Sequence, residues 1–401
     1  MILHDDDILV IADAAWDDPK RVRHKMPAAW AHEGNRVLWV EKPPFPAEYG
    51  GPPGRLRRAL RGELRQVGDR LWVGTPPPAV PTQHKGGVLG NAARALHRPF
   101  FVRRIRRYLR ELDFDVDWLV LFNQAERWDL LRRIPHGRSI YYCNDLFQCG
   151  KFTAASEREE QRCCGAVDVV FTTSAFLRDR LRPFNPRTHE VLHAVDTAWW
   201  EANKDRVPAE YGEIARPRLV FTGVMTPKME MGLIEQVAQA RPGWQWVFVG
   251  PVTAEARGLG IPGAAADLPN VHFVGPRELD ELAGFLAGAD VLTLPYRLGR
   301  QERASGLPLK FYEYFISGRP IVTTPFTEFE TQYRELIHVE PRAEDWVARI
   351  DALLSDAGGE PDLAERRYRA ALENSYAERI ERQRGLLAGY FADSLPGKDS
   401  A

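Results

Sequence analysis

Short apolar runs alternate with longer stretches whose apolar positions recur every three or four residues, from one end of the chain to the other. In the first half the runs ILVIAD (8–13), RVLWVEKP (36–43), RLWVGTP (70–76), WLVLFNQ (118–124), SIYYCND (139–145), VVFTTS (169–174) and HEVLHAVD (189–196) predict strands. Several are apolar at consecutive positions, the pattern of strands covered on both faces. Helices are predicted in 20–33, 92–112, 125–133 and 154–165. After a polar stretch the same grammar restarts. Strands are expected at 218–224, 246–251, 271–276, 291–296, 320–325 and 337–340, with helices near 230–241, 278–288, 308–318 and 343–355. Such alternation implies parallel, right-handed βαβ units. The expected architecture is α/β: a doubly wound parallel-sheet domain over 1–196, a second over 197–361, and a tail, 362–401. The tail holds an Arg/Glu-rich helical stretch, 362–392, placed to cross back to the first domain, and a frayed end. Ligands of such sheets bind outside the carboxyl ends of the strands, so the site is expected in a cleft between facing domains.

The length, 401 residues, suits two domains of ordinary size. The net charge of −1, from 54 basic and 55 acidic residues, excludes a polycationic nucleic-acid binder. Four cysteines, two of them adjacent (Cys163, Cys164), make no disulfide framework and no zinc spacing, so reduced thiols of a cytoplasmic protein are expected. MILHDDDILVIAD is acidic where a secretion signal is basic, and no apolar run reaches about 18 residues.

The charge is unevenly spread. Residues 55–110 hold 14 Arg and Lys against Glu63 and Asp69 alone. Within 92–112, Phe101, Ile105, Tyr108, Leu109 and Leu112 form an apolar stripe, and Arg103, Arg104, Arg106, Arg107 and Arg110 fill other positions. Leu56, Leu60 and Leu64 make a shorter stripe among further arginines. Such a helix can pack on its own domain with a solvated basic face, or lay that face on an anionic membrane or acceptor. No RNA-binding module accompanies it.

No glycine fingerprint follows the first strand, which runs into Ala14-Ala15-Trp16, and no phosphate-loop, H-E-x-x-H or G-x-S-x-G signature occurs. The informative stretch is PLKFYEYFISGRPIV (308–322). Pro308 suits the first turn of a helix, Gly318-Arg319-Pro320 ends it, and a buried strand begins at once. Lys310 near the helix start suits a phosphate, and Glu313 almost one turn later suits a ribose diol. An ion pair between the two on the surface is the plainer alternative.

This segment resembles the sugar-nucleotide motif of GT-B glycosyltransferases of group 1 (family 4-like). Other pieces follow in the family's order: FTGVMTPKM (221–229), NVHFVGP (270–276), ADVLTLPY (289–296), and earlier AVDVVFTTSAFL (166–177) and VLHAVD (191–196). The resemblance spans roughly 8–340 and is strongest over 166–325. It implies two Rossmann-like domains facing each other across a cleft. It also implies a metal-independent transfer of a sugar from a UDP- or GDP-sugar to a saccharide or lipid-linked saccharide, with no cofactor. By the same resemblance Glu313 holds the ribose, Lys310 and Lys228 the diphosphate, Gly223 admits that group, and Val274 lies by the base. Ser305 stands where many retaining members have a second glutamate, which leaves the stereochemical course and the donor sugar open. Asp145, ending SIYYCND, is the candidate base toward the acceptor, with Asp13 and Asp17-Asp18 as rivals. His24, Arg103, Arg104 and Arg107 are candidates for the acceptor or membrane face. The alternatives are a sugar-nucleotide epimerase on the same fold and a non-catalytic binding subunit.

Overall fold

A computed structural model describes residues 3–18, 22–45, 54–79, 87–144, 154–297, 309–325, 333–355 and 360–391. The chain divides into two units: residues up to Leu192 together with those from Arg379 on, and residues His193–Glu378.

The first unit is built on strands β1 (Asp7–Ala12), β2 (Arg36–Val40), β3 (Leu64–Gly68), β4 (Leu71–Gly74), β5 (Trp118–Phe122), β6 (Arg138–Cys143), β7 (Val169–Thr172) and β8 (Thr188–Glu190). Their order is β3-β4-β2-β1-β5-β6-β7-β8, and every pairing except β3–β4 is parallel. The central strands β1 and β5 are buried along their whole length, which explains their uninterrupted apolar sequences. Helix Gly87–Leu112 packs Phe101, Ile105, Tyr108 and Leu109 into this core. At roughly 1.5–3 kcal/mol for each large side chain removed from water, that stripe alone makes the helix an integral part of the fold.

The segment after residue 54 departs from expectation. Helix Arg55–Arg61 ends at Gly62, whose left-handed conformation (φ 64°, ψ 55°) forms the C-cap. Leu64 then opens the antiparallel edge strand β3, so Leu56, Leu60 and Leu64 are not one helical stripe. Leu60 is 67% exposed, and the helix buries Arg55 and Ala59 instead.

The second unit carries β9 (Arg218–Thr222), β10 (Gln245–Val249), β11 (Val271–Gly275), β12 (Val291–Leu294), β13 (Ile321–Thr323) and β14 (His338–Val339). The order is β11-β10-β9-β12-β13-β14, all parallel. Helices Met231–Ala240, Leu279–Ala287 and Lys310–Phe315 lie between strands, and Ala343–Ser355 follows the last. Trp246 of β10 stacks on Phe248 and on Trp346 of the last of these helices. The helix from Leu279 is fixed at its start by a capping box between Glu278 and Glu281.

The stretch 362–392 is two helices, Pro361–Leu372 and Tyr376–Phe391. The first belongs to the second unit, where fully buried Arg367 donates to the Leu336 carbonyl at 2.7 Å and pairs with Glu360 at 2.7 Å. The second helix, from Arg379, completes the first unit. Gln383 accepts from the Trp30 indole at 2.8 Å, and Phe391 packs edge-on against Trp118. Among the described residues no helix is long and apolar enough to cross a membrane.

Candidate functional site

In the second unit the chain leaves β9 and β10 at two glycines, Gly223 (φ 124°) and Gly250 (φ 141°), both in backbone conformations that L side chains rarely adopt. They pack closely, since a Cβ on Gly250 would run into the Gly223 carbonyl oxygen. A Cβ on Gly223 would run into Cε and Nζ of Lys310. The ammonium of Lys310 therefore lies directly over bare backbone at the carboxyl end of the central strand.

Helix Lys310–Phe315 holds it there. Phe311, Tyr312, Tyr314 and Phe315 are buried, which leaves Lys310 and Glu313, three residues apart, on the face that is not packed. The Tyr314 hydroxyl accepts from the Thr222 amide at 3.0 Å, tying the helix to the end of β9, and burial pushes this phenol well above its ordinary value. Lys310 donates to the Tyr296 hydroxyl at 2.8 Å and lies 5.0 Å from the Phe221 ring centre. Among the described residues neither Lys310 nor Glu313 forms an ion pair, so the two charges are not spent on each other. A partly buried cation, a partly exposed glycine backbone and a partly buried carboxylate make a surface chemically suited to a phosphate followed by a diol.

Lys228 is partly exposed in the loop after β9, and among the described residues its ammonium makes no ion pair. Its carbonyl accepts from the Arg297 amide at 2.5 Å, and Arg297 pairs with Glu230 at 2.7 Å, so this loop is braced against the end of β12. Val274 occupies an irregularity of the edge strand β11. The pairing steps from Phe248–Phe273 to Val249–Gly275 and leaves Val274 unopposed and partly exposed at the strand's carboxyl end. Ser305 lies outside the described residues.

The first unit has its own polar cluster at the carboxyl ends of β1, β5 and β6. Asp13 pairs with Arg23 at 2.5 Å. Asn123, in a left-handed conformation (φ 53°), accepts from the Asn144 amide at 2.8 Å and donates to Asp13 at 3.4 Å. Among the described residues Asp13 Oδ1, Asn144 Oδ1 and Glu126 Oε2 are buried without a hydrogen-bond partner. Burial raises the Glu126 carboxyl, against the pull of neighbouring Arg127. Three such oxygens at the carboxyl end of one sheet are chemically suited to donors such as hydroxyl groups. Asp145 follows Asn144 directly and lies outside the described residues. Sequence reasoning missed Asn123, Glu126 and Asn144, although the strand ends FNQAE and CND were its signal.

Three residues of the expected acceptor or membrane face have other duties. His24 is buried rather than superficial; its Nε2 lies 2.8 Å from the Ala15 carbonyl and its ring stacks on Trp39 at 5.1 Å. Arg104 donates to the carbonyls of Ala59 and Thr75 at 3.0 and 3.2 Å. Arg107 donates to the Gly62 carbonyl and pairs with Glu111 at 2.9 Å. Both thus satisfy carbonyls around the cap of helix Arg55–Arg61, where a side chain on Gly62 would strike the Arg104 guanidinium. Of the three arginines only Arg103 is exposed.

Residues 216–356 match the family described as Glycosyl transferases group 1. The chain is 25% identical over 240 residues to the Bacillus subtilis (strain 168) protein TuaH, named as a teichuronic acid biosynthesis glycosyltransferase; the match covers 55% of this chain and 59% of that protein. Among solved structures, a sucrose-phosphate synthase from Thermosynechococcus elongatus superimposes with a TM-score of 0.68 at 14% identity, over 97% of this chain and all (100%) of that one. Anabaena Alr3699/HepE in complex with UDP and glucose gives 0.65 at 13% identity, over 96% and 99%. At those identities the likeness is one of fold. Residues 216–356 thus resemble the group 1 glycosyl transferases, and the chain carries the α/β GT-B fold with its two largely parallel sheets.

Proposed function

We propose that this protein is a metal-independent glycosyltransferase. It moves a sugar from a UDP- or GDP-sugar to a saccharide or lipid-linked saccharide, in the assembly of a surface polysaccharide or related glycoconjugate. The observation that carries the reading is the Lys310 ammonium seated over Gly223 at the end of β9, with Glu313 on the same helix face and no ion pair to either among the described residues. The similarity to TuaH, named for teichuronic acid biosynthesis, supports the activity and its setting.

The chemistry follows from charge. Breaking the glycosidic bond of a nucleotide sugar leaves a diphosphate whose negative charge grows in the transition state. Lys310 and Lys228 offset that charge, the task that a divalent cation performs where no such lysines exist. Glu313 accepts hydrogen bonds from the ribose hydroxyls, and Val274 borders the base. In the first unit Asp145 is the proposed proton acceptor for the attacking hydroxyl, and the buried oxygens of Asp13 and Asn144 orient the acceptor. A cytoplasmic protein held at the membrane periphery fits a lipid-linked acceptor.

Isothermal titration with UDP, GDP and ADP, followed by turnover of UDP- and GDP-sugars with and without acceptor, tests the proposal. Binding of one uracil or guanine nucleotide, lost in Lys310→Met, is expected. A folded protein that binds none of the three defeats the reading, and donor converted to an epimer without acceptor replaces it with an isomerase.

A further inference from the structure

Helix Gly87–Leu112 carries more arginine than its packing uses. Between it and residues 132–135 of the first unit runs a groove of about 740 Å³. Arg98, Arg103, Arg106 and Arg110 line one bank, and Arg132 and Arg133 the other. The floor is apolar, made by Val102, Leu109, Phe114 and Val116, and Asp115 is the one carboxylate in the lining. Beside it Asp129 is shared by Arg98 at 2.5 Å and Arg133 at 3.6 Å. Arg106 donates to the Arg133 carbonyl at 2.6 Å, which satisfies a hydrogen bond and neutralises no charge. Arg103, Arg110 and Arg132 are exposed and make no ion pair among the described residues. So many guanidinium groups around an apolar floor repel one another until an anion joins them.

A second feature adjoins the groove. Leu89, Leu96 and Phe100 are 72%, 64% and 63% exposed. Their spacings of seven and four place them on one stripe of the helix, and three residues on from Phe100 that stripe reaches Arg103. Single exposed leucines are ordinary on a protein surface; a row of them leading to a cationic rim is the pattern of a surface that enters a headgroup layer.

We propose that this groove and the adjoining stripe dock the first unit on an anionic phospholipid surface. Lipid phosphates meet the guanidinium forks, acyl carbons meet the apolar floor, and Leu96 and Phe100 enter the boundary between headgroups and chains. Arg104 and Arg107 do not line the groove; their guanidinium groups already serve backbone carbonyls. The inference rests on the proposed lipid-linked acceptor only for choosing a lipid over another polyanion.

Sedimentation of the full chain with phosphatidylcholine vesicles, with and without phosphatidylglycerol, tests it. Binding should require phosphatidylglycerol and weaken with salt. It should fall by more than about tenfold in the Arg103→Glu, Arg110→Glu double variant, each near-surface arginine contributing roughly fivefold. Phe100→Ser, at an exposed position, should also reduce it and gives a second variant whose fold is not at risk. Equal binding to both vesicle types, or an undiminished double variant, overturns the proposal. So does a preference for transfer RNA, or a dimer dissolved by Phe100→Ser with no vesicle binding. Titration of the same preparations with UDP reports the second unit separately, so vesicle binding can fail while the glycosyltransferase reading stands, and the reverse.

Discussion

Gly223→Ala is the most discriminating perturbation of the donor side. Two costs follow from the structure. The backbone at φ 124° is strained for any L side chain, at about 1–3 kcal/mol of stability. The new Cβ also takes the space of Lys310 Cε and Nζ. That collision is with the far end of a flexible side chain, so it is relieved cheaply by moving the lysine; the expense appears when a diphosphate must be bound without it. A charge-assisted hydrogen bond contributes about 1.5–3 kcal/mol, which is roughly 10- to 150-fold in affinity. Lys310→Met should cost the same in UDP affinity without the backbone strain. Calorimetric titration of both single variants and the double variant closes the cycle. The double variant should bind UDP about as well as Lys310→Met alone, because the second change removes what the first has already displaced. Losses that add in full, or a Gly223→Ala protein with unaltered affinity, would refute the assignment of Gly223 as the residue that makes room for the lysine and its ligand.

Glu313→Gln should weaken UDP binding several-fold and 2′,3′-dideoxy-UDP binding hardly at all; equal losses for both ligands, by calorimetry, would detach Glu313 from the ribose. Burial, with Arg127 nearby, lowers His97 from 6.5 to about 4 while its Nε2 faces the Pro77 carbonyl at 3.1 Å. Between those pH values the unfolded chain takes up a proton that the folded chain refuses, so stability should fall as pH drops through that window and level off below it. The loss is at most about 3 kcal/mol, and thermal midpoints of His97→Gln should depend less on pH. Gly284→Ala places a Cβ against the Arg206 carbonyl inside the packing of helix Leu279–Ala287, and overpacking of about 1–3 kcal/mol should lower the melting temperature by several degrees; an unchanged melt would mean that the 206–208 segment yields freely.

The parallel strands were readable because burial on both faces leaves little room for polar positions to obscure them, as in WLVLF of β5. Strand β3 was hidden for the opposite reason. Its sequence LRQVG belongs to a half-exposed edge, and its first leucine continues a four-residue spacing that helix Arg55–Arg61 abandons at Gly62. Lys310 and Glu313 stood out through a local motif. Gly223 was named too, but its close approach to Lys310, like the contacts of Tyr296 and Tyr314, arises only through long-range sheet order. Arginine proved the least legible residue. Arg367, Arg104 and Arg107 lie in stretches that look uniformly solvated, yet each serves backbone carbonyls. Charge pattern cannot separate a guanidinium that faces water from one that caps a chain end.

The division of the chain also orders its assembly in time. The second unit is contiguous, His193–Glu378, and can be completed while later residues are still being synthesised. The first unit is not complete until the helix ending at Phe391 has been made, because Trp30 and Trp118 find Gln383 and Phe391 only then. A nascent chain stopped short of residue 379 would therefore hold a finished second unit and a first unit with two indoles uncovered. Such a chain is a natural client for chaperones, because the unfinished unit exposes apolar surface that the finished one covers.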